Sequence, residues 1–386
     1  MKKTYLLTPG PTPIPESVQA EFAKPIIHHR TPEFEKVFAS VRIQLKTLFQ
    51  TKQEVLTLAA TGTGAMDAAF VNVCSPGDTV ITLNAGKFGE RWTKIAEAYG
   101  VKAIEIKVEP GESISPTQVE EAIKKYPNAR GVFFQASETS TGVKLPVKAI
   151  VDLCKQNNIL SIVDAITACG VFELPMDAWN IDVLITGSQK ALMIPPGLAF
   201  IALSDHAWKI ASTAKLPKYY FDLHKELKMQ VKNQTAWTPA ISLIQGLEHA
   251  LDIMLEDGLE PNFKRHDILA EATRAGAKAL GLELLAKKES DSSTAVTAVR
   301  VPGSVKDGKQ IPKLMREKYG VIITGGQEEL EGKIFRLSHF GYCGAFDITT
   351  GLSALEMVLR ELGHKVSPGA GVAAAISIIE KRGLFT

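Results

Sequence analysis

The sequence has no closely spaced cysteine pair, no dense block of basic residues and no apolar run approaching the length of a membrane span. Its four cysteines, Cys74, Cys154, Cys169 and Cys343, lie far apart, with no CxxC spacing and no histidine cluster beside them. Neither a disulfide framework nor a zinc pattern is indicated, and they read as small buried hydrophobes in a reducing compartment. Charge is nearly balanced, 44 basic against 42 acidic residues, which argues against a nucleic-acid or membrane partner. The opening MKKTYLLTPGPTPIP has only a short apolar stretch before its prolines, too little for a signal peptide. A soluble, cytoplasmic protein is expected. What remains is ordinary globular material, 386 residues at 45% hydrophobic, enough for one large domain and a smaller one.

Proline density makes residues 1–15 an extended arm. Residues 16–50 have a helical pattern interrupted by His28-His29-Arg30. Seven short apolar runs then alternate with amphipathic stretches: 54–59, 79–84, 103–108, 131–137, 160–165, 182–188 and 198–204. Near-continuous apolar runs suit strands covered on both faces, with the amphipathic stretches as crossover helices. The nine residues between the last two runs are too few for a helical crossover, so the final strand should be antiparallel to its predecessor. The expected architecture is α/β, a mostly parallel seven-stranded sheet with helices on both faces, spanning 16–260. One long helical pattern covers about 240–280, and shorter strands and helices form a smaller C-terminal α+β domain over 261–386.

Four features fall at the ends of these strands. Ala60-Thr61-Gly62-Thr63-Gly64-Ala65-Met66 is a glycine-containing turn between a strand and a helix, either a phosphate cradle or a plain turn. It is not a dinucleotide fingerprint, because Asp67 stands where GxGxxG needs glycine, and a nicotinamide dehydrogenase falls with it. Asp164 ends an apolar strand, where an acid needs a partner or caps the next segment. Lys190, in GSQKALMIPPG, sits between two apolar strands; it either snorkels outward or, desolvated, serves as a Schiff-base lysine. Arg336, in KIFRLSHFG, either clamps a carboxylate or closes an internal salt bridge. Together, a phosphate cradle, an acid for a ring nitrogen, an amine and a carboxylate clamp are what pyridoxal phosphate chemistry requires.

These motifs resemble the class V, fold-type I pyridoxal phosphate aminotransferases, most closely the alanine–glyoxylate and serine–pyruvate (serine–glyoxylate) branch. The resemblance runs nearly end to end, through TPGPTPIP, HHRTPEF, ATGTGAMDA, NAGKFGERW, ETSTG, SIVDAITA, GSQKAL with PPG, and FRLSHFG. It implies that Lys190 holds the cofactor and shuttles the proton, and that Asp164 bonds the pyridine nitrogen. Thr63, Gly64 and Gln189 would hold the phosphate, and Thr139 would lie on the phenolic-oxygen side. Phe88 takes the ring-stacking position, where this branch often has tryptophan. Arg336, with backbone near Gly10, would clamp the substrate carboxylate. The family forms homodimers with shared active sites, so Thr238, in TAWTPAISL, would contact the phosphate of the partner's site. Thr235 stands where the family often has tyrosine, leaving that contact open. The substrates implied are an amino acid (alanine or serine) and a 2-oxo acid (glyoxylate or pyruvate). A single clamp arginine disfavours dicarboxylic donors.

Two rival readings share the fold. Cysteine desulfurases carry a cysteine on a mobile loop before the clamp arginine and usually a histidine before the lysine. Here Gln189 precedes Lys190, and Cys343 follows Arg336 by seven residues. A catalytically silent accessory subunit is the other, since members of this branch are sometimes labelled hydrogenase subunits. Every expected catalytic residue type is nevertheless present.

Overall fold

The computed structural model describes residues 3–385. Seven strands form one sheet: β1 (Val55–Leu58), β2 (Thr79–Asn84), β3 (Lys102–Lys107), β4 (Gly131–Gln135), β5 (Leu160–Asp164), β6 (Val183–Gly187) and β7 (Ala199–Leu203). Their spatial order is β1-β7-β6-β5-β4-β2-β3. Only β7 is reversed, antiparallel to both β1 and β6, with Ala199 opposite Gly187 and Leu58. The short connection at 188–198 therefore has the consequence expected of it: a hairpin return reverses the strand.

Burial explains why the apolar runs were so continuous. All of β1 and β4–β7, and all of β2 beyond Thr79, are buried. The edge strand β3 differs, leaving Lys102, Glu105 and Lys107 exposed. Charges on an open edge discourage pairing with a second sheet. Each face of the sheet has its own core. One packs Phe38, Leu45, Val151 and Leu247 from three helices onto Phe134 and Val163. The other packs Met66, Phe70 and Trp92 onto Phe133 and Ile185.

A third core gathers Leu269, Ile311, Phe335, Leu355 and Ile379 around a small antiparallel sheet. That sheet comprises β8 (Val296–Arg300), β9 (Thr324–Gly325) and β10 (Ile334–Ser338), in the order β8-β10-β9. The helical pattern at 240–280 resolves into two helices, Ile241–Leu255 and Leu259–Ala279. The break falls at Gly258, whose φ of +84° is available to glycine at little cost. The arm is extended and docked: Tyr5–Leu6 pair in parallel with Val321–Ile322, and Leu7 joins the third core. Among the described residues no helix is long and apolar enough to cross a membrane.

Candidate active site

Every strand except β7 points its C-terminal end the same way, and the loops leaving β1, β2, β4, β5 and β6 converge there. Open α/β sheets place their ligands at this edge. The loops enclose a cavity of about 100 Å³ whose walls include Thr63, Phe88, Thr139, Asp164, Gln189 and Lys190. A larger cavity of about 790 Å³ lies behind the Lys190 loop, near Met254, Arg265 and Tyr342. None of the site residues expected from the sequence lines it, so the smaller cavity is the candidate site.

Lys190 is fixed by its own loop and by the arm. The Ser188 hydroxyl donates to the Pro195 carbonyl at 2.7 Å and accepts from the Leu198 N–H at 3.2 Å, stapling the loop closed. The Thr12 N–H donates to the Gln189 carbonyl at 3.1 Å, and the Thr12 hydroxyl to the Lys190 carbonyl at 2.7 Å. The Lys190 ammonium donates to the Pro9 carbonyl at 2.6 Å. Gly10 is required by this embrace, because a Cβ there would stand 2.1 Å from Lys190 Nζ, and its φ is +143°. Burial lowers the Lys190 pKa from 10.5 to about 8; Asp164 opposes the shift, and Arg336 and Arg91 add to it. Snorkelling, one of the two fates open to this lysine, is excluded by its position.

Asp164 ends β5, paired with Gln135 on one side and Ile185 on the other. It is buried, and burial pushes its carboxyl up from 3.8 to about 7, against a backbone hydrogen bond that pulls it down. That bond, from the Ile166 N–H to Oδ1 at 2.8 Å, is the capping interaction considered from the sequence, although a turn and not a helix follows. Its other carboxylate oxygen takes no protein hydrogen bond among the described residues.

Arg336 lies in β10, 4% exposed. Its guanidinium donates to the carbonyls of Gly325 at 3.0 Å and Thr139 at 3.1 Å. No carboxylate among the described residues pairs with it, so the internal salt bridge is absent. A buried cation held only by carbonyls costs several kcal/mol unless an anion joins it, which makes it receptive to a carboxylate.

The remaining expected residues divide. Thr63, Phe88, Thr139 and Gln189 line the cavity, and Gln189 Oε1 is buried without a hydrogen-bond partner. Gly64 is not on the wall; it makes room for Ala60, whose Cβ would be 2.7 Å from a side chain there. Thr238 lies in a separate cleft with Tyr220 and Trp237, outside the cavity of its own chain. The Thr235 hydroxyl donates to the Trp237 carbonyl at 2.6 Å, and the residue borders the same cleft as Thr238.

Two residues were missed. Arg91 lines the cavity beside Thr63, so the site has a second arginine where the sequence suggested one. It falls in the helix Lys87–Ala98, where its pattern is that of a surface residue. Glu138, in ETSTG, is wholly buried and accepts from the N–H groups of Phe88 (3.1 Å), Gly89 (2.9 Å) and Ser140 (3.0 Å) and from the Ser140 hydroxyl (2.6 Å). A carboxylate at this helix start fixes where Phe88 presents its ring.

The lowered amine of Lys190 yields a pH prediction. Cofactor-free protein should capture pyridoxal phosphate faster as pH rises, levelling above about 8, where the amine is already neutral. A rate still climbing at about pH 10 would show an ordinary lysine.

The model of the family "Aminotransferase class-V" matches residues 4–338. The chain is 43% identical to a protein of Synechococcus sp. named soluble hydrogenase, small subunit, over 98% of each chain. It is 34% identical to the L-aspartate–glyoxylate aminotransferase of Paracoccus denitrificans, over 96% of this chain and 94% of that one. The ureidoglycine–glyoxylate aminotransferase structure from Bacillus subtilis superposes with a TM-score of 0.92 at 31% identity, over 98% of this chain and 99% of that one. With a family model that covers residues 4–338 and relatives matching nearly end to end, the chain belongs to the class V aminotransferase family.

Proposed function

We propose that this aminotransferase transfers nitrogen from alanine or serine to glyoxylate or pyruvate, in two half-reactions, as a homodimer. The observation that carries the reading is the meeting, in one cavity, of a lysine lowered to about 8 and a buried acid raised to about 7. Such opposed shifts mark groups that exchange protons near neutral pH.

The family's cofactor is pyridoxal phosphate, and the residues present fit it. Asp164 has an oxygen free of protein hydrogen bonds, and the first turn of the helix Gly62–Val73 carries no side-chain cap. When bound, the cofactor supplies an electron sink for charge developing at the substrate's α-carbon. Lys190 would hold it and carry the proton, its amine brought closer to neutrality by burial. Asp164 would stabilise a protonated ring nitrogen, the cation in turn stabilising its carboxylate. Thr63 would take the phosphate through its hydroxyl and Gln189 through its amide N–H, with backbone N–H groups of the helix's first turn beside them, while Gly64 stands off the cavity wall. Phe88 would cover one face of the ring, set by Glu138, and Thr139 would lie toward its phenolic oxygen. Arg336 would bind the substrate carboxylate, with the arm at Gly10 closing that side and excluding water.

Thr238 is exposed beside the aromatic group of Tyr219, Tyr220 and Trp237, which supports a role in a neighbouring subunit's site and so a dimer. A desulfurase reading finds no support. Cys343 is buried, its thiol is pushed up by that burial, and it borders the other cavity.

Replacing Arg336 by lysine should raise KM for donor and acceptor by roughly 10–100-fold, because a point charge cannot reproduce the guanidinium fork. Unchanged KM would move the clamp elsewhere. The donor class is tested by comparing kcat/KM for alanine, serine, aspartate and glutamate with glyoxylate as acceptor. Alanine or serine should lead, with parallel double-reciprocal lines; a strong preference for a dicarboxylic donor would overturn that choice.

A further inference from the structure

Arg91 is the cation in the cavity that the reading above leaves without work. It sits one helical turn after Phe88, with its guanidinium carbon 5.0 Å from the centre of that ring. One guanidinium nitrogen donates to the Thr63 hydroxyl at 2.9 Å. Among the described residues no carboxylate lies within ion-pair distance of it. Other partly buried arginines of the large sheet's surroundings are paired, Arg42 with Glu54 at 2.7 Å and Arg130 with Asp78 at 2.9 Å.

The position is unfavourable for a cation by itself. Thr63 belongs to the first turn of the helix Gly62–Val73, whose N-terminal end carries the positive pole of the helix dipole and no side-chain cap. A guanidinium beside that pole adds to its positive potential, and both favour an anion placed between them. Two anions enter an aminotransferase site of this kind, a cofactor phosphate and a substrate carboxylate. Arg336 stands with Thr139 and Gly325, on the carboxylate side. Arg91 stands with Thr63, at the helix terminus.

Resting on the cofactor reading above, we infer that Arg91 is a ligand of the cofactor's phosphate and not a second clamp for a dicarboxylic donor. A dianion between the guanidinium and the helix N-terminus satisfies both positive elements with charge-assisted hydrogen bonds. The consequence reaches the substrate: with Arg91 committed to phosphate, Arg336 is the arginine this chain's described residues leave for a carboxylate, which favours a monocarboxylic amino acid as donor.

The test uses the full-length protein freed of cofactor, titrated with pyridoxal phosphate and, separately, with pyridoxal, which lacks the phosphate. Binding is read by absorbance and by tryptophan fluorescence, and folding by circular dichroism. Arg91→Met should weaken pyridoxal phosphate on the order of 10–100-fold and leave pyridoxal unchanged, with Arg91→Lys in between. Equal losses for both ligands, or no loss for either, would overturn the inference. So would intact phosphate-ester binding with a KM increase confined to aspartate or glutamate, which would assign Arg91 to a side-chain carboxylate. Wild-type protein that binds neither ligand would instead overturn the cofactor reading, and this inference with it. Should Arg91→Met fail to fold, the lysine variant gives the same comparison.

Discussion

Lys190→Ala should fold and should lose turnover by roughly 10⁴-fold or more, the combined value of a covalent anchor and a positioned proton carrier. The structure gives reasons for both halves. The side chain reaches into the cavity, and the ammonium's single protein hydrogen bond goes to the Pro9 carbonyl, so its removal leaves no buried donor stranded. The loop keeps its shape through Ser188, Pro195 and Leu198, none of which depends on the amine. Pyridoxal phosphate should still enter, held by Thr63, Gln189 and the helix terminus, but desalting should remove it from the variant while the parent retains it. Turnover within tenfold of the parent would mean that another amine does the work.

Asp164→Asn should bind the cofactor and lose activity on the order of 10²–10³-fold, as expected when a preorganised charge is removed from a buried site. An amide of the same shape preserves the cavity and the bond from the Ile166 N–H, but it cannot hold a proton on the ring nitrogen. The variant should also change stability in a way that isolates the group. In the cofactor-free protein the folded state keeps the Asp164 proton up to about pH 7, whereas the unfolded chain releases it near 3.8. The folded state therefore binds more protons across that window, and stability should fall as pH rises from about 4 to about 7. Above it, the cost of burying the carboxylate is fully present. Denaturant titrations across this range should show that part of the slope disappear in Asp164→Asn. An unchanged slope together with unchanged turnover would mean that a different acid serves the ring.

The same burial that raises the Asp164 carboxyl made its strand legible. LSIVDA reads as a strand because four apolar or small residues precede an acid that has no business in a core unless something meets it. The reversed β7 was legible from chain length alone, since nine residues between two buried strands leave no room for a helix. Lys190 was legible for the opposite reason, as a charge set between two strands of apolar residues. Arg91 was not, because an arginine on an amphipathic helix looks the same whether it faces solvent or a ligand, and only the packing of its helix beside Thr63 distinguishes them. Glu138 was hidden likewise: ETSTG reads as a polar loop, and nothing local announces that the carboxylate is wholly buried and fully hydrogen-bonded. The docking of Tyr5–Leu6 on Val321–Ile322 involves strands of two residues each, too short to carry an alternating pattern. Thr238 illustrates a different limit, since its expected role depends on a second copy of the chain.

The most direct measurement is the absorbance spectrum of the purified protein, followed through addition of L-alanine or L-serine and then of glyoxylate or pyruvate. The visible band of bound pyridoxal phosphate should bleach with the amino acid, shift to the near ultraviolet, and return when the oxo acid is added. That cycle, absent in Lys190→Ala, is the transamination predicted from the Lys190–Asp164 pair. A protein that takes up no cofactor, or whose band ignores every amino donor, would contradict the account.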